Sequence, residues 1–127
     1  MPLIEPVTGL EAVLKHPTRP NRGVIERLCN YIDGNLTGEI TMSDLERESG
    51  LKSRAIQLRF QRHFTYTPTE WILNRRLDAA KRMLIAGSGD TRIAEIAFRC
   101  GFPRPAAFSA AYRQRFGEQP SVTLRRR

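Results

Sequence analysis

Only two cysteines, Cys29 and Cys100, occur in the 127 residues, far apart and without metal-ligand company. That scarcity excludes a disulfide scaffold and a zinc module and fits a reducing, cytoplasmic compartment. Each thiol reads as a small buried apolar residue, with a redox pair as the lesser alternative. The two histidines, His16 and His63, stand in a proline-rich arm and beside an aromatic stripe. With no glycine-rich phosphate loop and no cluster of acids and bases, no catalytic residue, cofactor site or metal site is expected. No apolar run approaches the ~18–20 residues that a membrane span needs. The N-terminus lacks the basic start and long apolar core of a signal peptide. Strand signals are equally scarce, since no alternating run is followed by a hairpin turn.

What is abundant is positive charge. Twenty-one Lys and Arg face thirteen Asp and Glu, for a formal net charge of +8, which makes a polyanion, commonly nucleic acid, the leading partner. The excess is not evenly spread. Residues 1–20 balance, and residues 21–50 are acidic through Glu26, Asp33, Glu39, Asp44, Glu46 and Glu48. The whole surplus lies after residue 50, either as a binding surface or as a solvated arginine-rich helix face.

Helical periodicity organises the chain from about Val24. Val24, Ile25, Leu28, Cys29 and Ile32 recur at three- and four-residue steps until Asp33-Gly34. Thr41-Met-Ser-Asp44 has the spacing of a capping box and opens a short helix that Gly50 ends. A third helix is predicted from about Ser53 to Phe64, with Ile56, Phe60 and Phe64 as its buried stripe. Thr67-Pro-Thr-Glu70 joins a capping box to a proline at the first helical position and launches a long helix to about Ile85. Its docking face is read as Leu73, Leu77, Ala80 and Leu84, and Trp71 as core. Further helices follow over about 91–99 and about Pro105 to Phe116, with Phe108, Tyr112 and Phe116 as the second stripe. Pro120 opens a last turn or two, so the fold class is all-α with about seven helices.

The two halves repeat each other. Met42, Asp44, Leu45 and Gly50 match Ile93, Glu95, Ile96 and Gly101 at an offset of 51. Ile56, Phe60, Phe64 and Pro68 match Phe108, Tyr112, Phe116 and Pro120 at an offset of 52. Each copy is a short helix, a turn with glycine and a longer helix with an aromatic stripe, which is the helix-turn-helix layout.

On these residues the chain resembles a known family. Trp71-Ile-Leu-Asn-Arg-Arg-Leu-Asp-Ala-Ala-Lys-Arg-Met-Leu84 is similar to the linker helix of AraC/XylS-type transcriptional regulators. Ile93-Ala-Glu-Ile-Ala-Phe-Arg-Cys-Gly-Phe102, Phe108-Ser, Arg113-Gln-Arg-Phe-Gly117 and Pro120-Ser121 resemble that family's C-terminal signature. The resemblance, over about residues 22–126, implies two helix-turn-helix units joined by a long linker helix. Each unit would place its second helix in one of two successive major grooves of double-stranded DNA. A helix of about 19 residues spans ~28 Å, close to the ~34 Å between successive grooves. The expected organisation is an arm or interdomain linker at 1–20, a first unit at 21–66, the linker helix at 67–87 and a second unit at 88–127. Many family members carry an N-terminal effector-binding domain, and nothing resembling one is here. The chain is then either a stand-alone binder or the C-terminal piece of a longer regulator, and residues 1–20, which read as an interdomain tail, favour the second.

In the first reading helix the outward positions are Arg54, Gln57, Leu58 and Gln61, where the family's base-contacting side chains fall. Arginine forks onto guanine and glutamine onto adenine in the major groove, while Leu58 either touches a thymine methyl or packs locally. Arg59 and Arg62 flank this face as phosphate contacts or solvated groups. Lys52 and Ser53 are assigned to a phosphate at the helix N-terminus, the alternative being that Ser53 caps the helix and Lys52 points to water. The second reading helix departs from the pattern: Arg104, Ala106, Ser109, Ala110 and Arg113 occupy its reading positions. With alanines at two of them, it is expected to hold the duplex more than it reads it. The resemblance makes Arg76 a structural residue bridging the two units. The terminal Arg125-Arg126-Arg127 is a frayed phosphate contact or nothing. A competing class is a helical protein-interaction module, with the acidic Asp44-Leu-Glu-Arg-Glu48 as a surface for RNA polymerase. RNA is disfavoured because there is no sheet or exposed aromatic platform for stacking bases.

Overall fold

The computed structural model describes residues 20–126. They form seven α-helices and no strand: α1 (Pro20–Gly34), α2 (Met42–Ser49), α3 (Ser53–Phe64), α4 (Pro68–Ile85), α5 (Ile93–Arg99), α6 (Pro105–Phe116) and α7 (Pro120–Arg126). Helix α1 starts four residues before the expected Val24, and the arm at 1–19 lies outside the described residues. No helix among the described residues is long and apolar enough to cross a membrane.

The chain divides into two compact units. In the first, α1 packs on α2 and α2 on α3. Ile25, Leu28, Cys29, Ile32, Leu45, Ile56 and Phe60 are its buried apolar residues, with Phe64 half-buried. The expected capping box is present: the Thr41 hydroxyl accepts from the Asp44 N–H at 3.1 Å, and the Asp44 carboxylate accepts from the Thr41 N–H at 2.9 Å. Gly50, at φ +76°, closes α2 in the left-handed region and donates its N–H to the Glu46 carbonyl, a conformation glycine adopts without a Cβ penalty. Thr65 closes α3 the same way at φ 58°, where a β-branched residue carries strain.

The second unit contains α4 to α7 together with Leu36–Glu39. Its core is Leu77, Ala80 and Leu84 of α4 against Ile96 and Ala97 of α5, Cys100, and Phe108 and Tyr112 of α6. Leu73 does not share this burial, being 38% exposed. The core ends on α4 at Leu77, so a leucine one turn earlier has nothing of this cluster to pack against. Trp71 is buried, as expected, and Pro68 is the first residue of α4.

Ring contacts run along α6, from Phe102 through Phe108 and Tyr112 to Phe116, with centroids 5.2, 5.6 and 4.6 Å apart. Side-chain bonds fix the rest of the unit. Arg115 donates to both oxygens of Asp78 on α4, at 3.0 and 3.2 Å. The Tyr112 hydroxyl donates to Thr123 Oγ1 at 2.8 Å, Thr123 donates to Glu118, and Arg126 grips the same carboxylate. Arg126 and Thr123 thereby hold the Glu118 carboxyl below its usual range, while burial pushes the Tyr112 phenol up.

Arg76 of α4 reaches the Leu36–Glu39 segment within this unit. Its Nε donates to the Leu36 carbonyl at 3.1 Å and its Nη2 to the Gly38 carbonyl at 2.5 Å. Burial lowers its basicity, and the two carbonyls take the place of water.

Candidate nucleic-acid interface

Helix α3 carries its stripe of Ile56 and Phe60 inward, which turns the positions one and two residues away outward. Arg54, Gln57 and Gln61 are exposed, and Leu58 is 47% exposed, so it lies on the surface and not in the core. Arg62 is exposed and Arg59 half-buried beside them. These side chains form one face at the spacing of successive helical turns.

Helix α6 repeats the geometry with different chemistry. Arg104, Ala106, Ala110 and Arg113 are exposed, while Ser109 is half-buried. Ala107 and Gln114, which sequence reasoning passed over, share the exposed face. They stand 52 residues after Ala55 and Arg62, so the repeat offset was the signal that could have found Gln114. The hydrophobic stripe of Phe108 and Tyr112 is fully buried, leaving this helix an outer surface of mostly short side chains.

The starts of the two helices differ. Lys52 precedes α3 and Arg104 precedes α6, and neither side chain makes a capping hydrogen bond. At α3, Ser53, one of the expected phosphate contacts, has a partner within the chain. The Ser53 backbone N–H donates to Glu46 Oε2 at 2.9 Å, and its hydroxyl donates to the same oxygen at 2.6 Å. A carboxylate of α2 thus stands at the start of α3, with Lys52 and Arg62 exposed and Arg59 half-buried around it. These bonds draw the Glu46 carboxyl below its usual range.

The acidic segment of α2 is also occupied from within. Asp44 bonds the Thr41 N–H and pairs with Arg47 at 2.6 Å, and Glu46 is taken by Ser53. Glu48 is left as its exposed acid. Among the basic residues Arg115 and Arg126 are similarly engaged with Asp78 and Glu118. By contrast Lys52, Arg54, Arg62, Arg104 and Arg113 are exposed and make no ion pair among the described residues. Cys29 and Cys100 are both buried, and burial raises the Cys100 thiol above its ordinary value. Among the described residues no group of three His, Cys, Asp or Glu side chains is placed to hold a metal.

A family model described as a helix-turn-helix domain matches residues 45–126. The crystal structure of a probable AraC family transcriptional regulator from Rhodopseudomonas palustris is 35% identical, covers 82% of this chain and 96% of its own, and superposes with a TM-score of 0.75. An XylDLEGF operon transcriptional activator of Pseudomonas putida is 36% identical over 101 residues, which is 79% of this chain and 32% of the activator. The chain thus spans about a third of the length of most of the curated relatives it matches. The DNA-binding domain of AdpA, solved in complex with a target DNA, shares the fold at a TM-score of 0.71 and 23% identity, over 86% of this chain and 93% of that one. Two helix-turn-helix copies in one all-α chain, the 35% identity to a probable AraC family regulator over nearly all of that chain and the family model agree: the chain belongs to the AraC family of helix-turn-helix transcriptional regulators.

Proposed function

We propose that this chain binds double-stranded DNA sequence-specifically and regulates transcription in the cytoplasm, with α3 and α6 as reading helices in successive major grooves. The observation that carries the reading is the outer face of α3. Arg54, Gln57 and Gln61 are long, exposed and polar, one helical turn apart, and they match the bidentate donors and acceptors of guanine and adenine edges. Helix α4, 18 residues long, spans ~27 Å at ~1.5 Å per residue, which suits a spacer between grooves ~34 Å apart. Lys52, Arg59 and Arg62 take phosphates beside α3. On α6, Arg104 and Arg113 supply the long contacts, and Ala106, Ser109 and Ala110 let the helix approach closely. RNA polymerase is the protein partner on this reading, and an effector-binding domain of the parent regulator supplies the signal.

Binding-site selection from random duplexes, followed by titration against salt, tests the proposal. Affinity should fall steeply with salt as several Lys and Arg side chains displace counterions. Arg54→Ala or Gln57→Ala should relax preference at particular base pairs, each lost bidentate contact being worth ~1–3 kcal/mol. A flat salt dependence, or no enriched sequence, would refute it.

A further inference from the structure

We infer that Glu46 is a specificity-determining positioning residue for DNA reading, acting through the first turn of α3. The inference rests on the reading of Arg54 and Gln57 as base contacts. A helix start is ordinarily tied down by the side chain of the residue just before it. Here that residue is Lys52, whose side chain makes no such bond. The tie comes instead from α2, where one oxygen of Glu46 accepts both the N–H and the hydroxyl of Ser53. Two bonds converging on one oxygen fix the rotation of the first turn of α3 against α2. Arg54 is the next residue and Gln57 lies one turn on, so any rotation of that turn swings both away from the base edges they would fork onto.

The charge acts in the same direction. A helix N-terminus attracts anions, and the Glu46 carboxylate occupies this one. A backbone phosphate, which carries no sequence information, is therefore kept from the backbone N–H groups of the first turn and left to the side chains of Lys52, Arg59 and Arg62. The second copy of the repeat lacks the device: Ala97 stands in the position of Glu46 and Pro105 in that of Ser53. No local motif accounts for the contact, since it crosses seven residues and a turn.

The experiment compares Glu46→Ala, Glu46→Gln, Ser53→Ala, Arg54→Ala and Gln57→Ala in the full chain, by binding-site selection and by competition between selected and random duplexes. Glutamine keeps an acceptor oxygen for Ser53 and loses the charge. Glu46→Gln should therefore preserve the selected sequence while binding both duplexes more tightly. Glu46→Ala should lose about fivefold in discrimination, the low end of what a deleted bidentate contact costs. Its relaxation should fall on the base pairs that Arg54→Ala or Gln57→Ala also relaxes, and Ser53→Ala should lie between the two Glu46 variants. If alanine and glutamine at 46 behave alike, only the charge matters and the inference is overturned. It is equally overturned if Glu46→Ala lowers the melting temperature yet, assayed well below it, selects the unchanged sequence. Should Arg54→Ala and Gln57→Ala themselves leave the selected sequence intact, the assignment of the readers falls, and the inference with it. If those two relax the sequence and Glu46→Ala does not, the inference falls alone.

Discussion

Replacing Gly101 with alanine tests how the second unit is closed. At Gly101 φ is +90°, and a Cβ added there would lie 2.7 Å from the Leu36 carbonyl oxygen and 2.8 Å from Arg76 Nε. The left-handed backbone alone costs an alanine ~1–2 kcal/mol. The steric conflict adds to that, because the Leu36 oxygen is backbone and the Arg76 side chain is anchored on two carbonyls. Relief requires both the Leu36 carbonyl and Arg76 to back away from the new Cβ, which disturbs the bond between them. Weakening one bond from a charged donor costs about 1.5 kcal/mol at the low end of the range for such bonds, and the half-exposed Arg76 belongs there. The sum is about 3 kcal/mol, or a fall of roughly 12–24 °C in melting temperature for a unit of this size.

Gly117 is the control, since its φ is +77° but nothing lies within 4 Å of an added Cβ. Gly117→Ala should therefore show the backbone cost by itself. Thermal unfolding of the full chain, followed by circular dichroism and by the fluorescence of the single tryptophan, Trp71, measures both. In an Arg76→Ala background the extra loss on Gly101→Ala should shrink, because the Arg76 conflict and its bond to Leu36 are already gone, while the Leu36 carbonyl conflict remains. Equal shifts for the two glycine variants would refute the close approach of Gly101, Leu36 and Arg76.

Two further outcomes follow from the same unit. Proline at Ala80, buried mid-helix in α4, removes a backbone hydrogen bond and clashes one turn back, costing ~3 kcal/mol or more; footprinting should show the two-groove pattern lost while weak, salt-sensitive binding survives, and a normal two-groove footprint would refute the spacer role. Because folding lowers the Glu118 carboxyl, its pairing with Arg126 and Thr123 should stabilise fully above the ordinary glutamate value of 4.5 and fade as the pH falls through the lower folded value. Melting temperature against pH should accordingly be flatter below about 4.5 for Glu118→Gln than for the parent chain, and parallel curves would refute the network.

The helices were legible because their signals are local. Ser53 to Phe64 and Pro105 to Phe116 run as their aromatic stripes, and in the second case Pro105, place them, and the Thr41–Asp44 box is read from four residues. What escaped is long-range. Leu73 has the right helical phase, but its burial depends on where the neighbouring core ends, which periodicity does not encode. Arg76 finds carbonyls about forty residues away, and Arg115 finds Asp78 at a separation of 37. Glu46 looks like one more acid in an acidic helix until the turn brings Ser53 to it. On the candidate interface, the outward positions of α3 follow from its inward stripe, whereas the occupation of its N-terminus by a carboxylate does not.

The two copies of the repeat solve one mechanical problem with different chemistry. A reading helix has to be held rigid against its partner, or its side chains average over several registers. In the first copy the outer face carries long side chains at Arg54, Gln57 and Gln61, whose reach magnifies any rotation of the helix, and the start of the helix is pinned by Glu46. In the second copy a proline opens the helix at Pro105, a ladder of ring contacts fills its inner face, and Arg115 bolts its end to Asp78. Its outer face is short at Ala106 and Ala110, so a small rotation displaces little. If α3 and α6 read DNA as proposed, hydrogen-bond pinning at the N-terminus falls where angular error would matter most, and apolar packing along the length where close approach to the duplex would matter more. On the proposed reading, that division accounts for a difference between two halves that share a backbone plan: Glu46 in the first half, where the second has Ala97.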